Sequence, residues 1–183
     1  RLFYSDERNV VEWAGKSQVI FEELESHFGF TGGPYHEYCA YFHRPLPHDM
    51  WEYVFRDEVM AIAGFSVVPN RDAVRQRKPL MPVATNYAWR PASDRAEHGL
   101  RGGAALAQLY VPSGRVGVAA FDESNAFTSV KVPRWMSRWC SAPPLRAGDL
   151  WPLLPAHIRV QSTASTWIYP LYRRLAMGSA HSV

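Results

Sequence analysis

The sequence has 183 residues, of which 47% are hydrophobic and 20% charged, with two cysteines and a formal net charge of +3 at pH 7. This composition is typical of a folded domain and excludes a disordered tail or a disulfide-stapled scaffold. No apolar run approaches the roughly 18 residues of a membrane span, and the N-terminus lacks a signal peptide's apolar core. We therefore expect an intracellular protein, nuclear or cytoplasmic and not secreted, with no membrane partner. The first residue is Arg1 and a polar run precedes Val183, so we expect a fragment.

Charge is unevenly distributed along the chain. Residues 1–64 carry a net charge of −6, residues 65–183 carry +9, and 17 of the 20 basic residues are arginine. Arginine presents a planar set of donors that fits phosphate oxygens. The basic part therefore favours a polyanionic partner, and the alternative is an ordinary solvated surface.

The N-terminal part predicts helices. Apolar residues recur at helical spacing over residues 10–28. A second helix is predicted over residues 50–63, because Asp49 and Glu52 have the spacing of a capping box at its start. Residues 1–64 are therefore expected to form a helical N-terminal extension.

The next segment predicts a basic β-hairpin. Residues 65–68 are β-rich, a turn follows, and residues 80–84 resemble a returning strand. Four basic residues lie near the expected tip of this hairpin: Arg71, Arg75, Arg77 and Lys78.

The C-terminal part predicts further strands. Residues 116–121 are a short apolar run, typical of a buried strand. Residues 133–155 contain five prolines and predict a loop with one short helix at most. Two strands are predicted beyond it, over residues 157–161 and 166–175, on either side of a polar turn.

Asp122 is the strongest candidate for chemistry. It directly follows the apolar run, so its carboxylate would lie at the rim of a sheet. Such an oxygen ligand suits Mg²⁺, and phosphoryl transfer uses metals to neutralise charge on the reacting oxygens. The alternative is that Asp122 only caps the following turn.

The residues around Asp122 resemble motif A of reverse transcriptases, in which a hydrophobic strand ends in Asp and an Ala–aromatic pair follows. Here that pair is Ala126 and Phe127. Residues 175–182, LAMGSAHS, resemble motif B of the same family, which is commonly L-P-x-G followed by small and polar residues. The basic hairpin resembles the fingers segment that grips the incoming triphosphate.

Two departures from the family pattern qualify the resemblance. Ala176 stands where the family usually has proline, which favours a divergent mobile-element member. No Asp-Asp pair, the family's motif C, occurs in the sequence. We therefore expect a chain truncated before motif C and inactive as an isolated fragment.

The resemblance implies an α+β fold, part of a right-hand polymerase with an antiparallel sheet. Residues 65–115 would be a fingers-like segment, and residues 116–183 would be the front part of the palm. The complete protein would extend a DNA or RNA primer on an RNA template, using dNTPs.

The resemblance also implies roles for individual residues. Asp122 would be catalytic and bind Mg²⁺, with Mn²⁺ as an alternative metal, and the backbone carbonyl of Glu123 would help. Phe127 would lie under the nucleotide sugar and exclude a 2′-hydroxyl. The remaining substrate-binding candidates are two residues of the templating pocket and the four basic hairpin residues: Met177, Gly178, Arg77, Lys78, Arg71 and Arg75.

Three other readings stay open. An RNA-directed RNA polymerase has a similar palm, although Phe127 argues against this reading because such an enzyme must accept a 2′-hydroxyl. A non-catalytic nucleic-acid-binding remnant of a mobile element would also be basic. The third is a zinc-dependent module, because four potential ligands fall close together: His36, Cys39, His43 and His48.

Overall fold

The computed structural model describes residues 35–46, 49–65, 68–69, 76–77, 80–82, 85–86, 89, 108, 112 and 126–179. These residues form a mixed α+β structure with antiparallel strand pairs and short helices, which confirms the predicted class. The predicted helix at 10–28 and the predicted strand at 116–121 lie outside them. Within the described ranges, no helix has the length and apolar character needed to cross a bilayer.

The helices in the described part are short. They are α1 (Tyr35–Phe42), α2 (Ala126–Ser129), α3 (Arg134–Arg138), α4 (Ala147–Leu150) and α5 (Ala156–Val160), with 3-10 turns at Arg56–Glu58 and Trp151–Leu153. The strands are β1 (Trp51–Val54), β2 (Gly64–Phe65), β3 (Val68–Pro69), β4 (Gln76–Arg77), β5 (Leu80–Met81), β6 (Leu145–Arg146) and β7 (Trp167–Tyr172).

Strand β7 is the centre of a three-stranded antiparallel sheet with the order β1-β7-β6. Trp51 of β1 is the register partner of Tyr172, and Leu145 of β6 is the partner of Ile168. The sequence of β7, Trp-Ile-Tyr-Pro-Leu-Tyr, is rich in aromatic and β-branched residues that favour strands. The strand predicted over 166–175 is thus confirmed for its first two-thirds.

The helix predicted over residues 50–63 is wrong. This segment contains β1, a 3-10 turn and the short strand β2. Its apolar residues fit either period, and pairing with β7 decides in favour of a strand. The expected capping residues have other partners, because Asp49 forms ion pairs with Lys131 and Arg174.

The predicted hairpin is confirmed. Strand β2 pairs antiparallel with β5, and β3 pairs antiparallel with β4. The register joins Phe65 to Leu80 and Val68 to Arg77, and both pairs fit one continuous antiparallel hairpin. Residues 70–75 between β3 and β4, the predicted tip, lie outside the described residues.

Two expectations for the C-terminal part are wrong. Residues 133–155 contain two α-helices, a strand and a 3-10 turn instead of a loop, and residues 156–160 form helix α5 instead of a strand. Proline explains both errors. Pro133 and Pro155 are the N-caps of α3 and α5, where a missing N–H costs nothing.

The main hydrophobic core joins residues that are far apart in sequence. Tyr38 of α1, Phe65 and Leu80 of the hairpin, and Leu145 and Ile168 of the sheet all belong to it and are at most 7% exposed. The Tyr38 hydroxyl donates a hydrogen bond to the carbonyl of Pro143 inside this core (2.6 Å). The sheet, the hairpin and helix α1 are therefore packed together.

Candidate nucleotide site

Helix α2 carries the first candidate residue, Phe127. The helix is a single turn, and the Phe127 side chain is half-buried. The Phe127 carbonyl accepts a hydrogen bond from the amide of Val130 (3.3 Å), so the chain turns directly after the helix. Phe127 is thus held in a short helix that leads into an extended segment.

That extended segment pairs with the residues that precede the motif B match. The Leu175 amide donates to the Val130 carbonyl (3.0 Å), and the Val132 amide donates to the Arg173 carbonyl (3.2 Å). Lys131 and Arg174 form an antiparallel bridge between these contacts. The structure therefore places the chain that follows Phe127 beside the chain that leads to Gly178.

A turn at Met177–Gly178 follows this pairing. Gly178 has φ = +87°, a region that side chains with a Cβ rarely adopt. Among the described atoms, nothing lies within 4 Å of a Cβ built at Gly178. Glycine is therefore required by the backbone conformation and not by crowding from the protein. Met177 is 57% exposed beside it.

A residue that the sequence did not single out contacts this turn. The Asn86 side-chain amide donates a hydrogen bond to the Gly178 carbonyl (2.9 Å). Asn86 follows Thr85, whose buried hydroxyl donates to the carbonyl of Trp139. The segment after the hairpin is therefore attached to the core through Thr85 and to the turn through Asn86. No local sequence pattern signals these contacts, because the partners are 92 and 54 residues away.

The three segments enclose a small cavity of about 10 Å³. Thr85, Arg174 and Ser179 contribute to its lining. This convergence joins the region after the hairpin, the end of β7 and the motif B match at one place in the fold.

A set of charged side chains, which we call the ion-paired strip, lies beside this place. Its carboxylates come from residues 49–58 and its cations from residues 131–174. The pairs are Asp49 with Lys131 and Arg174, Glu52 with Arg134 and Arg173, and Glu58 with Arg134. The hydrogen bond from Lys131 and the nearby Arg174 guanidinium lower the pKa of the Asp49 carboxyl.

Several predicted site residues lie outside the described residues. They are Asp122, Glu123, Arg71, Arg75 and Lys78. For Arg77, the structure describes the backbone, which belongs to β4. The proximity of Asp122 to Met177 and Gly178 stays a prediction, as do the contacts of the basic hairpin residues with a triphosphate.

In the part of the chain that the structure describes, no three His, Cys, Asp or Glu side chains gather to hold a metal ion. His36, Cys39 and His43 are in that part, so the zinc reading has no support from them. The His43 imidazole instead contacts the Asp149 carbonyl (2.6 Å). His48 and Asp122 lie outside that part, so the finding does not bear on the predicted magnesium site.

The second cysteine has a packing role. Cys140 is 6% exposed in the main core, and burial raises the pKa of its thiol to about 12. A thiol with so high a pKa stays protonated at neutral pH and is a weak nucleophile. Cys140 therefore serves packing in the core.

Comparison with known proteins gave no match to a family model, to a curated protein or to a solved structure. The functional assignment therefore depends on the residues and their geometry.

Proposed function

We propose that the chain forms the fingers and the front part of the palm of a reverse-transcriptase-like polymerase. The complete protein would be an RNA-directed DNA polymerase that extends a DNA or RNA primer on an RNA template with dNTPs. It would act inside the cell, in the nucleus or the cytoplasm.

The observation that carries the proposal is the pairing of residues 130–132 with residues 173–175. The two hydrogen bonds of this pairing, 3.0 and 3.2 Å long, connect the segment after Phe127 to the segment before Gly178. A polymerase needs the sugar contact and the templating contact on one nucleotide, so the two motif matches must meet. The pairing supports the proposal because it brings together the segments that flank the two motif matches.

The hairpin adds support. Its strands pack into the main core through Phe65 and Leu80, and Asn86 in the segment after it donates to the Gly178 carbonyl. Arg77 belongs to β4 of this hairpin, and we propose that Arg77 and Lys78 contact a triphosphate. A fingers-like segment would be expected to lie next to the Met177–Gly178 turn in this way.

The proposed chemistry assigns distinct tasks to the side chains. Asp122 and the Glu123 carbonyl would supply hard oxygen ligands, the kind that Mg²⁺ prefers and Mn²⁺ accepts. Bound there, the metal would neutralise charge on the phosphates during in-line attack by the primer 3′-hydroxyl. Phe127 would occupy the space that a ribose 2′-hydroxyl needs, and the Gly178 turn would let the backbone approach the templating pair.

The direct test is dNTP incorporation on a primed RNA template by the product of the whole parent gene. We expect Asp122→Asn to abolish incorporation, because the amide cannot supply the anionic ligand. Asp149→Asn is the matched control, because Asp149 of α4 accepts a hydrogen bond from the Tyr35 hydroxyl of α1 (2.7 Å) and is not among the proposed site residues. Full incorporation by Asp122→Asn would refute the proposal.

A second test addresses Phe127. In the same enzyme, Phe127→Ala should admit ribonucleotides, because the smaller side chain leaves room for the 2′-hydroxyl. Phe127→Tyr should retain the discrimination. Unchanged sugar selectivity in the alanine variant would refute the role of Phe127 while leaving the polymerase activity in place.

A further inference from the structure

An exposed tryptophan with a guanidinium stacked on it lies at the other end of β7. The Cζ atom of Arg146 is 3.6 Å from the centroid of the Trp167 ring, and the indole is 39% exposed. Arg146 also donates to the carbonyl of Ser165. Together with the turn at residues 163–166, these two side chains form a surface that we call the Trp167 edge.

The backbone of the Trp167 edge is firmly held. The Ala147 amide donates to the Thr166 carbonyl (2.8 Å), and the Gly148 amide donates to the Ala164 carbonyl (3.0 Å). Gly148 packs so closely that a Cβ added to it would lie 3.2 Å from the Ala164 Cβ. Movement of the turn would therefore disturb α4, which holds the backbone on which Trp167 stands.

The turn that precedes Trp167 in the chain also carries three hydroxyl groups. Thr163 Oγ1 lies 3.0 Å from Ser165 Oγ and 3.1 Å from Thr166 Oγ1. Such hydroxyls bond to phosphate and sugar oxygens in nucleic-acid interfaces. The edge therefore combines a flat apolar ring, a cation and neutral donors.

Charge indicates which partner this surface fits. Residues 126–179 contain seven basic residues and one acidic residue, Asp149, for a net charge of +6. Four of the seven belong to the ion-paired strip and face carboxylates. Among the described residues, Arg146 is in no ion pair and is held by a ring and a carbonyl instead. Its charge stays available to an anion.

We propose that the Trp167 edge binds single-stranded nucleic acid, with one base stacked on the face of the Trp167 indole opposite the Arg146 guanidinium and the adjacent phosphate at Arg146. The inference rests on the proposed function, in which an RNA template is a partner, and it adds a template-holding surface outside the nucleotide site. Single strands are the fitting partner because their bases are free to stack on an aromatic ring, whereas duplex bases are stacked on each other.

The proposal is tested by the binding of a labelled oligouridylate of about 12 nucleotides to the full 183-residue chain, followed by fluorescence anisotropy. Trp167→Ala should weaken binding about tenfold, the loss expected for one stacked base. Trp167→Phe should recover most of the affinity, because it keeps an aromatic ring. Trp151→Ala is the matched control, since Trp151 is 40% exposed and no guanidinium among the described residues stacks on it.

The outcomes separate this proposal from the polymerase proposal. Equal affinity of the parent chain and Trp167→Ala would overturn the stacking site and leave the proposed function standing. If the parent chain did not bind at all, the stacking site would be refuted and the RNA-template partner would lose support. A change in the sedimentation of Trp167→Ala without a change in oligonucleotide affinity would identify a protein contact instead and overturn the proposal.

Folding of the variants is checked independently. The buried thiol of Cys140 should resist alkylation equally in the parent chain, Trp167→Ala and Trp167→Phe. Equal protection shows that a lost affinity arises at the surface. If the Cys140 thiol of Trp167→Ala is alkylated faster, that variant is not correctly folded, and the affinities of Trp167→Phe and Arg146→Gln test the proposal instead. Parent-like affinity of Arg146→Gln would then refute the site.

Discussion

The ion-paired strip and the Trp167 edge are two basic regions in very different states. In the strip, Arg134 donates to Glu52 at 2.8 Å and also bonds to Glu58, so its charge is neutralised within the protein. At the Trp167 edge, Arg146 lies over an exposed ring and reaches a backbone carbonyl. Both arginines contribute equally to a net charge counted from the sequence. The difference shows that a basic composition alone does not indicate a polyanionic partner. Only the cations that are not paired with carboxylates in the fold can bind one.

Strand β7 connects the two regions, so the largest effect should come from breaking it. Leu171 in the middle of β7 is fully buried, and Leu171→Ala should lower the free energy of unfolding by about 3 kcal/mol through lost contacts and a cavity. Urea unfolding measures this loss, and the slope of the unfolding free energy against urea concentration should stay unchanged. Val160→Ala, at a residue that is 86% exposed, is the control and should change stability little. A fall in the unfolding free energy of less than about 1 kcal/mol would mean that β7 is not the central element that holds the two regions together.

The next largest effect should come from Arg174. Its side chain is only 10% exposed and bonds to Asp49, so Arg174→Ala should cost about 2 kcal/mol through lost packing and a lost charged hydrogen bond. Arg173→Ala is the matched neighbour, since Arg173 is 45% exposed and lies 3.9 Å from Glu52. It should cost about 0.5 kcal/mol or less. Equal losses in urea unfolding would contradict the burial difference.

A matched pair of arginine variants tests the comparison itself. Arg134→Gln should lower stability by about 0.5 kcal/mol, because its side chain is half-exposed and salt screens its two pairs. It should leave oligonucleotide affinity unchanged. Arg146→Gln should weaken oligonucleotide binding a few-fold. It should also make the plot of log affinity against log salt concentration less steep, by the amount that corresponds to about one phosphate contact. If the two variants lost affinity equally, ion pairing would not distinguish the regions.

The smallest effect should appear on acidification. Lys131 and Arg174 lower the pKa of Asp49 in the folded state, so the ionised carboxylate stabilises the fold above the unfolded value of about 3.9. That contribution should be lost as the pH falls through the lowered folded value. The parent chain should therefore exceed Asp49→Asn in thermal midpoint at pH 6, and the gap should narrow below about pH 4. A gap that stays constant down to pH 3 would show that Asp49 carries no such contribution.

The candidate site was predictable in part. The resemblance to motif B singled out Met177 and Gly178, and the structure has a turn there with Gly178 at positive φ. Asn86 and Thr85 could not be predicted, because their partners at Gly178 and Trp139 are defined only once the hairpin has packed against the sheet. The roles of Asp122 and Glu123 depend on the resemblance and stay predictions.

The sequence by itself determined the features that depend on neighbouring residues: the basic hairpin and strand β7. Periodicity and turn residues act over a few positions, so they can be read without a fold. Only the tertiary structure decided that residues 51–54 form a strand and that Asp49 and Glu52 form ion pairs instead of capping a helix. The physical reason is distance along the chain, since Arg134 and Arg174 are 82 and 125 residues from the carboxylates they bind. The local sequence there is compatible with either a helix or a strand, and the contacts with distant residues favour the strand.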